Sequence, residues 1–71
     1  MLVKRTEVIK RLRKAARDAG LEFETYELRN HTGVRVGGTR STLGRHSEID
    51  DVTARKFFDQ FAEALGKGWW R

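Results

Sequence analysis

The sequence predicts an α+β domain in which a three-stranded antiparallel sheet carries two helices on one face. Two observations lead to this prediction. Apolar residues recur at helical spacing near both ends of the chain, whereas the central third alternates apolar and polar residues around a glycine pair. The predicted order is helix, strand, strand, strand, helix, which leaves the second face of the sheet open to water.

The 71 residues are predicted to form one domain over residues 1–71, with residues 66–71 as a C-terminal tail. The chain contains no cysteine, which excludes disulfides and thiolate metal sites and suits a reducing cytoplasm. No apolar stretch approaches the roughly 20 residues of a membrane span or resembles a signal peptide. We therefore expect a cytoplasmic protein without membrane contact.

The composition is basic, because 15 Lys and Arg residues face 10 Asp and Glu residues and give a net charge of +5. Small basic domains often bind nucleic acid, since each phosphate that they neutralise releases a counterion. The charge alone leaves two interpretations open: a polyanion-binding protein, and a protein with an ordinary solvated basic surface.

The first helix is predicted over residues 6–19, with Thr6 as its N-terminal cap and Gly20 just past its end. Its apolar face consists of Val8, Ile9, Leu12, Ala15, Ala16 and Ala19. A second face carries Lys10, Arg13, Lys14 and Arg17. Like charges at this spacing repel by roughly 0.2–0.5 kcal/mol per pair, so this face is either solvated or in contact with phosphates.

The first strand is predicted over residues 21–28. Its apolar residues change parity between Phe23 and Tyr26, so we expect a bulge or a bend there.

The next two strands, residues 31–36 and 39–43, are predicted to form a hairpin through Gly37-Gly38, whose positive φ angles suit a two-residue turn. This turn pairs Val36 with Thr39, Arg35 with Arg40, and Val34 with Ser41. The face predicted to meet the core carries Thr32, Val34, Val36, Thr39, Ser41 and Leu43. The face predicted to be open carries His31, Gly33, Arg35, Arg40 and Thr42.

Residues 44–50 are predicted to form a loop that carries Arg45 and His46. The second helix is expected to begin at a cap, Asp50 or Asp51, and to end before Gly66. Its apolar stripe consists of Ala54, Phe57, Phe58, Phe61, Ala62 and Leu65, which we assign to the core.

The open face suggests chemistry. Arg35 and Arg40 lie opposite each other, which is unfavourable unless an anion sits between them. His31 shares this face and can transfer protons near neutral pH. Metal-free RNA cleavage needs such a base for the 2′-hydroxyl and cations for the phosphorane. The residues alone leave His31 as either this base or a surface histidine, and His46 as a loop residue, a phosphate donor or an acid. We expect no metal and no cofactor.

The order of these parts resembles the HicA family of small bacterial and phage toxins over residues 6–65. That family has a helix ending in glycine, a strand, a Gly-Ser-His segment, a glycine-turn hairpin, a short loop with a histidine, and a second helix. The corresponding segments here are DAGLEF, RNH, GGTRSTLGRHSEI and VTARKFF. Arg29-Asn30 replaces the Gly-Ser of the family, and the tail GKGWWR is additional.

The resemblance implies a fold like that of double-stranded-RNA-binding domains, with α-β-β-β-α order. It implies the toxin of a type II toxin–antitoxin system, a metal-independent endoribonuclease that cleaves mRNA and blocks translation with a single histidine, here His31. The implied partners are mRNA and a HicB-like antitoxin that covers the active face. The residues expected to bind RNA are Arg29, Asn30, Arg35, Arg40, Arg45, His46, Lys10, Arg13, Lys14 and Arg17.

Two other functions stay open: a non-catalytic RNA-binding module that recognises RNA by shape, and an interaction protein whose exposed sheet and tail dock a protein partner. Trp69 and Trp70 either pack on the core, anchor a partner or stack on bases. We favour the first two roles, because neighbouring tryptophans after a glycine point in different directions.

Overall fold

Eight short elements follow one another along residues 2–71, the part of the chain that the computed structural model describes. They are β1 (Leu2–Lys4), α1 (Arg5–Asp18), β2 (Phe23–Glu27), β3 (His31–Val36), β4 (Thr39–Gly44), β5 (Glu48–Asp50), α2 (Asp51–Asp59) and α3 (Ala62–Leu65). An antiparallel sheet has the order β2-β3-β4, and β1 pairs with β5 in a separate two-stranded ribbon. The α+β class and the three-stranded sheet are therefore confirmed.

The first helix, α1, begins one residue earlier than predicted. Lys4 is its N-terminal cap and makes no side-chain capping bond, so the prediction that Thr6 caps the helix was wrong. The C-terminal prediction is confirmed, because Gly20 has a φ of 71°. The amides of Gly20 and Leu21 donate to carbonyls of the last helical turn at 3.0 and 2.9 Å, which is a Schellman motif.

Strand β2 pairs with β3 in an unbroken register that runs from Phe23 opposite Val36 to Glu27 opposite Thr32. The expected bulge was therefore wrong. The parity changes because apolar side chains lie on both faces of the strand: Phe23 packs against the core, whereas Tyr26 lies on the face that no helix covers.

The predicted hairpin between β3 and β4 is confirmed together with its register, which runs from His31 opposite Gly44 to Val36 opposite Thr39. Gly37 has a φ of 58°, but Gly38 has no positive φ. The prediction of two positive angles was thus half right, and the signs are those of a type II′ turn.

The segment predicted as a loop over residues 44–50 contains β5. Its partner β1 was not predicted at all, because three-residue strands are too short to show an alternation. The register places Leu2 opposite Asp50 and Val3 opposite Ile49. Ile49 is buried, and Val3 packs against the core, so the ribbon adds to one edge of the core.

The second helix was predicted as one unit and is in fact interrupted. Asp50 caps α2 as expected, since its carboxylate accepts from the amide of Val52 at 3.1 Å. The helix ends at Asp59, and α3 follows after Phe61, whose φ and ψ are −99° and 13°. Gly66, with a φ of 96°, ends α3 where the sequence placed the stop.

The helices α1 and α2 cover the same face of the three-stranded sheet. The buried apolar core consists of Val8, Leu12, Ala16, Val34, Val36, Leu43, Ile49, Ala54, Phe57, Phe58 and Phe61. In β3 and β4 its residues are Val34, Val36 and Leu43, all on the face that the alternation assigned to the core. Thr39 and Ser41, predicted for the same face, are only half-buried. The other face is left uncovered.

The C-terminal tail packs back over this core. The indole of Trp69 meets Phe58 edge to face with 5.1 Å between ring centroids, and its N–H donates to the Phe58 carbonyl at 2.9 Å. The indole of Trp70 donates to the Asp59 carboxylate at 2.8 Å. The packing role of the two tryptophans is therefore confirmed.

Candidate nucleic-acid interface

The uncovered face of the sheet is organised around Tyr26. This residue is paired with Gly33 at the middle of β3, and a Cβ atom at Gly33 would lie 2.1 Å from Tyr26 Cε2. The ring therefore lies directly against the glycine backbone. It separates the end of the face that carries His31 from the end that carries the Gly37-Gly38 turn.

At the turn end, Arg35 is bound by acidic residues. The register places Glu24 opposite Arg35, and the guanidinium contacts the carboxylates of Glu24 at 3.0 Å and Glu22 at 3.1 Å. It also donates to the Gly37 carbonyl at 2.6 Å. The hydrogen bonds to Glu24 and Glu22 raise the pKa of Arg35, so it stays charged. Arg40 lies opposite, as predicted, but the charge of Arg35 is balanced by carboxylates rather than directed at an anion between the two arginines.

The arginines of the turn end lie far from His31. Four residues of strand separate His31 from Arg35, or about 13 Å at 3.3 Å per residue, and the contacts of Arg35 draw its guanidinium further toward the turn. The predicted RNA-binding cations therefore do not form one cluster. Arg35 and Arg40 belong to one end of the sheet and His31 to the other.

At the other end, His31 opens β3 and is exposed. Leu28 follows the last residue of β2, and its amide donates to the His31 carbonyl at 2.8 Å. Arg29 and Asn30 therefore form an exposed two-residue turn, and neither has a positive φ. This two-residue connection therefore lacks the primed turn that normally closes such a hairpin.

Arg45 closes the connection instead. Its Nη2 group donates to the carbonyls of Leu28 and His31, the latter at 3.5 Å, and lies 2.7 Å from a carboxylate oxygen of Glu27. The guanidinium thus holds together the two residues that flank the connection. Arg45 was predicted to contact phosphate, and the structure shows that it also positions the backbone of His31.

The ring of His46 meets the uncovered face at Gly44. Gly44 is directly opposite His31, and His46 Cδ2 lies 3.5 Å from the position of a Cβ atom at Gly44. Directly opposed Cβ positions are about 4.5–5.5 Å apart, so the His31 Cβ atom and the His46 ring are separated by at most about 9 Å. The structure therefore places both histidines near Gly44, at the same end of the three-stranded sheet.

A buried hydroxyl network lies on the covered face of the sheet, beneath the end that carries His31. It was not predicted from the sequence. Thr32 is 2% exposed; its hydroxyl accepts from Arg5 Nη2 and donates to Glu27 at 3.2 Å. Arg5 Nε donates to the Gly44 carbonyl at 3.2 Å. The signal in the sequence was a threonine on the buried face of a strand, because a buried hydroxyl needs a partner.

The cations of α1 do not continue the uncovered face. Lys10 and Arg13 line a groove between α1 and β2, on the side of the sheet that the helices cover. Lys14 is 3.6 Å from Asp18, and Arg17 makes no ion pair within residues 2–71. Of the four residues of α1 predicted to bind RNA, two therefore line the groove, Lys10 and Arg13, and two are exposed to solvent, Lys14 and Arg17.

Within residues 2–71, no helix is long and apolar enough to cross a membrane. Comparison of the chain with models of protein families, with curated proteins and with solved structures gave no match.

Proposed function

We propose that this protein is a metal-independent endoribonuclease that cleaves mRNA, and that it acts as the toxin of a type II toxin–antitoxin system. The observation that supports the proposal best is the exposed His31 on the face of the sheet that no helix covers, with the ring of His46 against Gly44, the residue opposite His31. The resemblance to the HicA family supports the toxin role, the likeness to double-stranded-RNA-binding domains, and a HicB-like antitoxin that would cover this face.

In the proposed reaction, His31 takes the proton from a 2′-hydroxyl, and the resulting oxygen attacks the adjacent phosphorus. The bond from phosphorus to the 5′-oxygen breaks, and His46 gives its proton to that oxygen. The products are a 2′,3′-cyclic phosphate and a 5′-hydroxyl. Arg45 uses Nη2 for its contacts with protein, so Nε and Nη1 remain to stabilise charge on the phosphorane, together with Arg29.

Incubation of the purified protein with RNA in the presence of EDTA tests the activity. We expect fragments that end in cyclic phosphate, and none from His31→Ala, whose affinity for RNA should stay close to that of the parent. Thr42→Ala is the matched control, since it truncates an exposed residue on the same face and should cleave normally. Equal cleavage by His31→Ala and the parent would refute the assignment.

The role of His46 is tested by the pH dependence of the cleavage rate. A histidine base and a histidine acid together give a rate that rises and then falls with pH, and the fall reports deprotonation of the acid. His46→Ala should therefore lower the rate and remove the fall at alkaline pH. A variant that keeps the complete bell-shaped profile would show that His46 is not the acid.

A non-catalytic RNA-binding module of the double-stranded-RNA-binding type is the second candidate. It is favoured by the pairing of Arg45 with Glu27 and by the distance of Arg35 from His31 along β3, because both reduce the positive charge available to a phosphorane at His31. RNA binding without fragments in the same EDTA experiment would support this function. Growth arrest on expression without an antitoxin would support the toxin.

A further inference from the structure

We propose that the groove between α1 and β2 is a second anion site that binds a phosphoryl group. The groove has a volume of about 470 Å³ and is lined by Arg5, Thr6, Ile9, Lys10, Arg13, Thr25, Glu27 and Thr32. The residues from α1 fall into two rows at helical spacing, Arg5, Ile9 and Arg13 in one and Thr6 and Lys10 in the other, so they form one face of the helix. This face is turned toward the outer strand of the sheet rather than toward bulk water.

Among residues 2–71, no carboxylate forms an ion pair with the three cations of the groove. Arg5 is half-buried, and its guanidinium donates to the hydroxyl of Thr32 and the carbonyl of Gly44, both of which are uncharged. Lys10 makes no ion pair anywhere in residues 2–71. Cations that share a confined groove repel one another, and an oxyanion between them turns this repulsion into attraction.

Arg13 is held in place for such a contact. Its guanidinium carbon lies 5.5 Å from the centroid of the Phe23 ring, a distance at which a cation is attracted to the ring face. Stacking leaves the N–H groups at the edge of the guanidinium free to donate to an oxyanion. Because the Arg13 side chain is already held against Phe23, less conformational entropy is lost when a ligand binds.

The one carboxylate in the groove does not cancel these charges. Glu27 accepts from Thr32 at 3.2 Å and lies 2.7 Å from Arg45, so its negative charge is balanced by a cation outside the groove lining. The hydroxyls of Thr6 and Thr25 add further hydrogen-bond donors along the walls. The lining therefore offers cations and hydroxyl donors, which is the chemistry that phosphoryl oxygens prefer.

The groove is separate from the site proposed for cleavage. It opens on the helix side of the sheet, whereas His31 and His46 lie on the uncovered side. The two meet through Thr32 and Glu27, which lie beneath the connection between β2 and β3, and through Arg5, whose guanidinium donates to the Gly44 carbonyl. The proposal thus stands without nuclease activity, and its ligand is either a backbone phosphodiester of RNA or a terminal phosphate.

NMR titration of the 15N-labelled protein tests the groove with three probes: inorganic phosphate, a tetranucleotide RNA with a 5′-phosphate, and the same RNA with a 5′-hydroxyl. We expect saturable shifts at the amides of Lys10, Arg13 and Thr25 with phosphate. If both RNAs shift these amides equally, the ligand is a backbone phosphodiester; if only the phosphorylated RNA does so, it is a terminal phosphate.

The charge-matched control comes from the same helix. Lys10→Gln and Arg13→Gln should each weaken phosphate binding roughly tenfold, the loss of one hydrogen bond to a charged group. Lys14→Gln removes the same charge from the same helix, outside the groove, and should weaken binding less than about twofold because the exposed Lys14 amine already pairs with Asp18 at 3.6 Å. Equal effects of all three substitutions, or shifts spread evenly over the basic surface, would overturn the proposal.

Discussion

The contact between Tyr26 and Gly33 on the uncovered face can be tested by a double-mutant cycle. Gly33→Ala places a methyl carbon 2.1 Å from Tyr26 Cε2 and 2.4 Å from Cζ, far inside the roughly 3.5–4.0 Å between carbons in contact. The ring must therefore leave its place on the strand. The φ of Gly33 is not positive, so the backbone itself accepts alanine.

The two backgrounds should give effects of opposite sign. With Tyr26 present, overpacking costs about 1–3 kcal/mol, and we expect the lower half of this range because the ring can swing into water. In the Tyr26→Ala background the clash is gone, and alanine in a strand is better than glycine by about 0.5–1 kcal/mol. Gly33→Ala should then stabilise the protein, which makes the coupling energy about 1.5–3 kcal/mol.

Urea unfolding followed by tryptophan fluorescence measures this cycle, since Trp69 and Trp70 pack against Phe58 and report the loss of the core. A domain of 71 residues has about 4–10 kcal/mol of stability at 0.05–0.15 kcal/mol per residue, enough for all four proteins to fold. Equal destabilisation by Gly33→Ala in both backgrounds would refute the reasoning, because the methyl group would then conflict with something other than the ring.

Three further substitutions test the remaining structure. Arg45→Lys keeps the positive charge but removes the planar guanidinium, so amide hydrogen exchange at the connection between β2 and β3 should become faster while the free energy of unfolding falls by less than about 1 kcal/mol. Unchanged exchange would contradict the role of Arg45 in closing this connection. Leu12→Ala, at a site 0% exposed, should cost about 2–5 kcal/mol in urea unfolding, whereas Leu2→Ala, at 59% exposure, should change stability by at most about 0.5 kcal/mol; similar losses would contradict the burial pattern. Thr32→Val should cost about 1–3 kcal/mol in the same assay by leaving buried partners unsatisfied, and Thr32→Ser should retain most of that stability; equal losses would place the cost in packing instead.

The order of the main elements could be predicted because each carries a periodic signal of its own. The register of β3 and β4 was also predictable, since a two-residue turn at Gly37-Gly38 leaves only one pairing. The ribbon of β1 and β5 could not be predicted, because three residues show no period. The break after Asp59 was hidden, because the apolar stripe continues through Phe61 as if the helix did.

The sequence predicted on which face of the sheet the candidate site residues lie, but not which residues surround them. The alternation correctly assigned His31 and Arg35 to the uncovered side. It did not predict the ion pairs of Arg35 with Glu22 and Glu24. It also did not show that His31 and Arg35 lie too far apart along β3 to contact one phosphate. The register of β2 against β3 was not predicted, because Arg29-Asn30 contains no glycine to mark a two-residue turn, so Glu24 opposite Arg35 was not anticipated. His46 was a candidate from the sequence, but its contact with Gly44 was not predicted, because that contact depends on how the loop folds back.

The ribbon of β1 and β5 has a consequence for the order of folding. Its pairs join residues that are 44 to 48 positions apart in the chain, and closing so long a loop in an unfolded chain costs entropy for few contacts. We expect the ribbon to assemble after the hairpin and α1 have shortened that loop. Substitutions such as Val3→Ala would then accelerate unfolding and leave the refolding rate nearly unchanged.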